Sequence, residues 1–319
     1  MRLHLLWQHP IRATVAFGLL VIALPVWADI VLTLPNDFIE KYKNRATIKT
    51  DFTIHFAHPS PKKPSPSKPS NDGDIHISGV ADELPMPAVA ELMNAATQPK
   101  ALKFANQMKG TGQKVSITGV WRFWPEHGGD DRFFPGMTID ITNTNPDHIF
   151  EIHPTTEIGS IETLTSFAPI PGFKPKDATD AFQRYENIRA RITPGAGSTS
   201  IRMGSVGYNY VKFRIRLREN PEHDIPDGVS VFADVKEVDG ETLQRKRRMV
   251  FVAGTKAETA VRNLRTGDCM LVLGMPRLNL SLVAWRAGPG AAADPDVLAW
   301  NLPYEMVILA DYKDNRCEV

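Results

Sequence analysis

Cysteine and net charge are both scarce in this sequence. Its 319 residues include two cysteines, Cys269 and Cys317, which lie too far apart to form a metal site without histidine partners. The 37 Lys and Arg residues nearly match the 36 Asp and Glu residues, so the chain lacks the overall basic charge typical of nucleic-acid-binding proteins. Any site for a polyanion must therefore be a local patch. After residue 28 the sequence also lacks an apolar run long enough to span a bilayer.

The first 28 residues have the pattern of a secretory signal peptide. Arg2 and Arg12 precede an apolar run from Ala13 to Trp27, and Ala28 places a small residue before a cleavage point. The run is short for a transmembrane helix, and an uncleaved N-terminal anchor is the alternative. The pattern predicts export to the bacterial periplasm or the medium, which are oxidising compartments.

Export changes the interpretation of the two cysteines. In an oxidising compartment Cys269 and Cys317 are candidates for a disulfide, which would close a loop of about 48 residues and stabilise the fold by roughly 4 kcal/mol. The alternative is a pair of unpaired thiols, with Cys269 buried in an apolar strand.

Proline concentrates in one stretch. Residues 58–72 carry Pro at every second or third position, which favours extended chain and prevents ladder pairing. Too few residues precede this stretch to form a domain, so we interpret it as a long loop inside the first domain.

Short strand-like segments and one helical segment follow one another in residues 29–164. Their order is strand, strand, strand, helix, strand, strand, which is the order of an OB-fold, a small five-stranded barrel. One segment is compatible with strand or helix, and Gly119 is expected to form a β-bulge. The strand segments are Thr47–Ala57, Asp74–Gly79, the ambiguous Pro87–Met93, Gln113–Trp124 and Ile149–Ile161, and the helix is Ala101–Lys109.

The same order recurs in residues 208–319. The predicted strands are Tyr208–Leu217, Val229–Val238, Arg248–Ala253, Cys269–Gly274 continued by Leu278–Trp285, and Tyr304–Asp311, with a short helix over Ala257–Leu264. Residues 165–207 are predicted to be a linker with a helix over Asp177–Ala190. The predicted fold is therefore mainly β, with two tandem OB-like five-stranded barrels that each carry one short helix. A single β-sandwich is the alternative.

Two resemblances support this architecture. The segments Asn209–Leu217 and Met249–Gly274, with Ala257 and Glu258 opening a helix and Gly267-Asp268 before a strand, resemble the OB-fold of bacterial single-stranded-DNA-binding proteins. That resemblance implies a role in nucleic-acid binding. The first half resembles uncharacterised secreted bacterial OB-like domains, through the D-G-D-x-H sequence at residues 72–76, Glu91, and the E-I-H-P sequence at residues 151–154. It implies a barrel and no activity.

A cluster of imidazoles and carboxylates in the first barrel is the candidate for a metal site. Glu151 and His153 share one face of a strand because they are two residues apart. Neighbouring strands could add further donors, so that zinc or another divalent ion is bound by His76, Glu91, His148, Glu151 and His153. The spacing matches no established metal motif, and a buried hydrogen-bond network is the alternative. Asp72-Gly-Asp74 predicts a turn rather than a calcium loop, which needs more oxygen ligands.

A row of basic residues in the second barrel is the candidate for polyanion binding. Alternation places apolar residues on one face of the first strand and cations on the other, and a basic hairpin follows. OB-folds bind oligomers across these strands, and single-strand binding combines cations with aromatic rings. The candidates are Lys212, Arg214, Arg216, Arg218, Arg245, Lys246, Arg247 and Arg248 with Tyr210. A solvated face with ion pairs and a protein-partner interface are the alternatives.

These features predict an exported, non-catalytic OB-fold protein that binds a polyanion such as single-stranded nucleic acid. The competing hypothesis is a metal-dependent hydrolase, similar to a nuclease or phosphodiesterase, that uses the His and Glu cluster. A third hypothesis is a structural component of the cell envelope with a protein partner. The sequence assigns no catalytic residue.

Overall fold

A computed structural model describes residues 29–129, 132–138, 140–288 and 301–317. The predicted signal peptide, residues 1–28, lies outside the described residues. None of the described helices is long and apolar enough to cross a membrane.

Strands dominate the first half of the chain. Its helices are α1 (Asn36–Tyr42) and α2 (Pro99–Met108), and α2 has proline in its first turn, where the missing N–H costs nothing. The strands are β1 (Asp29–Pro35), β2 (Thr47–Ala57), β3 (Ile75–Ala81), β4 (Leu84–Leu92), β5 (Lys114–Phe123), β6 (Arg132–Phe133), β7 (Phe150–Ile158) and β8 (Ile161–Glu162).

Strands also dominate the second half of the chain. Its helices are α3 (Ala178–Asn187), α4 (Lys256–Arg262) and α5 (Leu280–Ala287). Its strands are β9 (Ala190–Pro194), β10 (Ser198–Gly204), β11 (Val211–Leu217), β12 (His223–Ile225), β13 (Gly228–Lys236), β14 (Thr242–Val252), β15 (Cys269–Leu278) and β16 (Tyr304–Asp311).

Two closed five-stranded barrels confirm the predicted architecture. The first runs β2–β3–β4–β7–β5 and back to β2, with β4 and β7 parallel, and α2 lies between β4 and β5 in the chain. The second runs β11–β13–β14–β16–β15 and back to β11, with β14 and β16 parallel, and α4 lies between β14 and β15. Strand order and the position of the helix are those of an OB-fold in both copies.

The sequences of the barrel strands explain how each barrel closes around an apolar interior. Apolar side chains alternate along the strands and fill the interior, for example Phe52, Ile77 and Ile152 in the first barrel and Phe213 and Phe251 in the second. At Gly119 the register between β5 and β7 shifts, which confirms the predicted bulge. A Cβ atom there would lie 2.6 Å from the carbonyl oxygen of Pro154, so only glycine fits this crossing.

Residues 165–207 are not the linker that the sequence suggested. They contain α3, close to the predicted helix Asp177–Ala190, followed by β9 and β10. A third sheet in the order β6–β1–β10–β9 joins this segment to the start of the described chain. Gly, Ser and Thr are compatible with short edge strands, and here Ile192, Ile201 and Met203 supply the buried side chains.

One predicted strand is wrong. Leu278–Trp285 does not continue the fourth strand of the second barrel, because β15 is already continuous from Cys269 to Leu278 and is followed by helix α5. The side chain of Asn279 caps this helix by accepting from the backbone N–H of Leu282 at 2.9 Å. The ambiguous segment Pro87–Met93 lies in strand β4.

A disulfide joins Cys269, at the start of β15, to Cys317 near the end of the described chain. It attaches the segment after β16 to the neighbouring strand of the second barrel.

Candidate ligand groove and buried histidine–carboxylate cluster

The five predicted His and Glu residues lie on the outer wall of the first barrel. Alternation along β7 directs its apolar residues into the core, so Glu151 and His153 face the other way. His76 on β3 and Glu91 on β4 are directly opposed across their strands, and His148 lies just before β7. Adjacent strands of the barrel therefore bring together residues that are distant in the sequence.

Short polar contacts connect these five side chains in a row. His76 Nε2 lies 3.5 Å from Glu91 Oε2, and His153 Nδ1 lies 3.6 Å from the same oxygen. His153 Nδ1 is also 3.4 Å from Glu151 Oε2, and His148 Nε2 is 3.5 Å from Glu151 Oε1. Three imidazoles and two carboxylates therefore alternate along the row.

His153 is the centre of this row and is held from the second barrel as well. Its Nε2 atom lies 2.6 Å from the hydroxyl oxygen of Tyr210 and 3.3 Å from Asp74 Oδ2, and the Tyr210 hydroxyl donates to Asp74. Burial opposes protonation of His153, but Glu91, Asp74 and Glu151 outweigh it and raise the pKa above its usual value. Burial also raises the pKa of Glu91. We take His153 as the charged group because three carboxylates surround it.

Arg122 neutralises the charge of Glu151, near the His148 end of the row. This fully buried guanidinium pairs with Glu151, and it donates to the carbonyl oxygen of Pro276 at 2.9 Å and to Asn209 Oδ1 at 2.6 Å. Burial alone would raise the pKa of Glu151, but Arg122 holds that pKa well below its usual value. Arg122 lies on β5, Asn209 just before β11 and Pro276 on β15, so the same side chain connects the two barrels.

A separate corner of the cluster contains His127, His148 and Glu151. The rings of His127 and His148 are stacked with their centroids 5.0 Å apart. One nitrogen or oxygen of each of the three side chains lies within 4.8 Å of the others, which is close enough for shared ligation. Burial lowers the pKa of His127 to about 4, and the adjacent His148 acts in the same direction, so the His127 ring is neutral.

Sequence reasoning missed the part that three of these residues play. Asp74 was assigned to a turn, although it lies only two residues before His76 on the chain. Alternation along the predicted strand Gln113–Trp124 places Arg122 on its outer face, and this was the sequence signal that could have found it. Tyr210 was assigned to ligand stacking, whereas its hydroxyl bonds Asp74 and His153 in the first barrel.

The cluster is covered by the rest of the molecule. His148, Glu151 and His153 are fully buried or nearly so. Over the outer face of β3 and β4, the hydroxyl of Ser78 donates to the carbonyl oxygen of Asn143 at 2.6 Å, in the segment that precedes β7. Among the described residues Glu151 is therefore not exposed to a polymeric substrate, which argues against the hydrolase hypothesis.

The second barrel instead has an open groove of about 620 Å³ on its outer face. It is bordered by strands β13 and β14, by the segment around β12 and by helix α5, which are the strands and loops that OB-folds use for oligomers. Its aromatic and basic lining residues are Phe232, Lys246, Arg247, Arg248, Trp285 and Tyr304. The Trp285 ring is 61 % exposed, although it is one of the largest apolar side chains of the protein.

Each of the two acidic residues that line the groove already has a partner. Glu219 accepts from the backbone N–H of Phe232 at 2.8 Å, and Asp224 pairs with Arg262 at 2.9 Å. Lys246 Nζ lies 5.7 Å from the centre of the Phe232 ring. A cation and an exposed aromatic surface therefore face the same space.

The four residues of the basic hairpin divide into two pairs. Arg247 pairs with Glu186 and lies 4.0 Å above the Tyr304 ring, and Arg248 pairs with Glu305 at 2.9 Å. Arg245 and Lys246 are exposed. Ion pairs of two arginines therefore hold the hairpin in place, and the other two cations are exposed to solvent.

The row of cations on β11 divides in the same way. Arg214 is buried, with Asp314 at 3.3 Å, and Lys212 lies 4.5 Å above the Tyr312 ring. Arg216 and Arg218 are exposed, and Arg218 pairs with Asp234 of β13. Of the predicted row on β11, neither Arg216 nor Arg218 is among the residues that line the groove.

Comparison with known proteins identifies no family for this chain. No protein-family model and no curated protein matches the chain. The chain is similar to the single-stranded DNA binding protein from Thermus aquaticus, with 11 % identity over 85 % of this chain and 92 % of that one and a TM-score of 0.22. A deletion mutant of that protein matches at 9 % identity over 86 % and 94 %, with a TM-score of 0.20. At such scores the OB-like assignment depends on the strand order and register described above.

Proposed function

We propose that the protein is a non-catalytic OB-fold binding protein that takes a single-stranded nucleic acid, or a polyanion of similar spacing, in the groove of the second barrel. The observation that carries this proposal is the exposed Trp285 ring in the same groove as Phe232 and Lys246. Bases could stack on the rings while the cations contact phosphates, which requires no particular base sequence.

Location belongs to the same proposal. The signal-peptide pattern of residues 1–28 and the Cys269–Cys317 disulfide both fit a periplasmic or secreted bacterial protein. A nucleic acid bound there would be extracellular, and an envelope protein with an anionic, extended segment would suit the same groove. Capture of a partner protein, carried out with the nucleic acid present as a competitor, distinguishes these two classes of ligand.

Binding of a labelled oligothymidylate, followed by fluorescence anisotropy, tests the proposal. Trp285→Ala should weaken binding by about 5-fold to 150-fold, because stacking contributes about 1–3 kcal/mol per base. Lys246→Ala should weaken binding and lower the slope of log affinity against log salt by about 0.7, the value for one phosphate contact with a single strand. Lys103→Ala is the matched control, because Lys103 is an exposed lysine on α2 of the first barrel.

Two results would reject the groove as the site. One is absence of binding by the wild-type chain at low salt. The other is a Trp285→Ala variant that binds as tightly as the Lys103→Ala control.

A further inference from the structure

Two buried polar atoms face each other in the first barrel without a hydrogen-bond partner. They are His148 Nε2 and Glu151 Oε1, which are 3.5 Å apart in side chains that are completely or almost completely buried. Unpartnered polar atoms are costly in a protein interior, so a pair of them aimed at one point indicates a missing occupant.

The hydrogen bond on the other ring nitrogen identifies what that occupant must be. His148 Nδ1 lies 2.7 Å from the carbonyl oxygen of Pro146, and because a carbonyl only accepts, Nδ1 must carry the proton. The opposite ring nitrogen, Nε2, faces a carboxylate oxygen of Glu151. A nitrogen whose opposite N–H is fixed by a backbone carbonyl is the usual arrangement of a metal-ligating histidine.

From these contacts we propose that His127, His148 and Glu151 bind one divalent transition-metal ion, for which zinc has the best-matched ligand chemistry. Imidazole nitrogen and carboxylate oxygen are common zinc ligands, at about 2.0–2.2 Å. Two ligand atoms 3.5 Å apart subtend about 110° at an ion at that distance, which is close to the tetrahedral angle. The site is independent of the groove in the second barrel.

His127 completes the site and gives access to it. Its ring stacks on His148 and is only half-buried, so this is the side from which an ion could enter and at which water could occupy a fourth position. His127 follows β5 and His148 precedes β7, so the ion would join the exit of one strand to the entrance of its neighbour.

The second group of donors in the cluster does not share these properties. Asp74, Glu91 and His153 also lie within ligation distance of one another. However, Asp74 accepts from the backbone N–H of Asn94 at 2.8 Å and from Tyr210, and His153 is bonded at both ring nitrogens. Asp74 and both ring nitrogens of His153 therefore already have hydrogen-bond partners, unlike His148 Nε2.

Titration of the purified, metal-free chain with zinc, in competition with a chromophoric chelator, tests the site. We expect one zinc ion per chain, and cobalt should give the visible absorption of a tetrahedral ion. His127→Ala removes a half-buried ligand with little risk to folding and should weaken zinc binding by more than about 100-fold, beyond the effect of losing an outer-shell partner.

His55→Ala is the matched control, because His55 is a half-buried histidine on β2 of the same barrel and belongs to neither donor group. It should bind zinc as the wild type does. The proposal is overturned if the folded wild-type chain binds neither zinc nor cobalt, in which case water fills the space. It is also overturned if His127→Ala binds zinc as tightly as His55→Ala.

Discussion

Arg122 shows how much a single residue contributes to this molecule. A fully buried arginine requires partners for its whole guanidinium, and it has them in Glu151, Asn209 and the carbonyl oxygen of Pro276. These partners come from both barrels. The side chain therefore neutralises the carboxylate of the cluster and joins the two halves of the chain.

Replacing this arginine should be strongly destabilising. Arg122→Met leaves Glu151 buried and unpaired, so we expect the free energy of unfolding to fall by about 3–5 kcal/mol. Urea unfolding followed by circular dichroism measures the change. Arg216→Met is the matched control on an exposed arginine and should stay within about 0.5 kcal/mol of wild type. Equal stabilities for the two variants would contradict the structural role of Arg122.

The sequence predicted part of the residue-level picture. The period of two placed Glu151 and His153 on one face, and strand order brought His76 and Glu91 beside them. The sequence could not show that Tyr210, next to the second barrel, forms hydrogen bonds with residues of the first barrel. Alternation tells which face of a strand a side chain occupies, and not what covers that face.

At the level of elements, the predicted and observed segments agree where alternation or helix boundaries are strong. Strand β2 is an example, because its predicted range Thr47–Ala57 is the observed one. Helix α5 was missed because Leu278–Trp285 is a short apolar run, and periodicity alone does not separate a buried strand from a buried helix at that length. The cap at Asn279 was the local signal.

The crossing of β5 and β7 at Gly119 gives an element-level prediction. A Cβ atom at Gly119 would lie 2.6 Å from the carbonyl oxygen of Pro154 and 2.8 Å from the Cα of Thr155, and backbone atoms cannot move aside. Gly119→Ala should therefore lower the free energy of unfolding by about 1–3 kcal/mol, the usual cost of overpacking.

Gly197→Ala is the control for this prediction, because no atom lies within 4 Å of its added Cβ. It should be neutral or slightly stabilising in the same urea experiment. If Gly119→Ala unfolds at the same urea concentration as Gly197→Ala, the close approach of the two strands is not a constraint on the barrel.

At the scale of the whole molecule, the disulfide is the covalent constraint. Cys317→Ser should lower the free energy of unfolding by about 4 kcal/mol, because the bond restricts a loop of 48 residues in the unfolded chain. The melting temperature, measured with and without reductant, checks this. Reductant should lower it in the wild type and leave it unchanged in Cys317→Ser, and a reductant-insensitive wild type would contradict the prediction.

The duplication of the fold does not duplicate the open face. In the first barrel, the outer side of β3 and β4 is occupied by the Ser78–Asn143 contact and by the buried cluster with Tyr210, whereas the corresponding side of the second barrel is open. With the groove as the proposed binding site, the described part of the chain carries one such site, although it contains two barrels. A long ligand would gain avidity only by bridging separate copies of the protein, so its apparent affinity should increase with the local density of protein and not with ligand length alone.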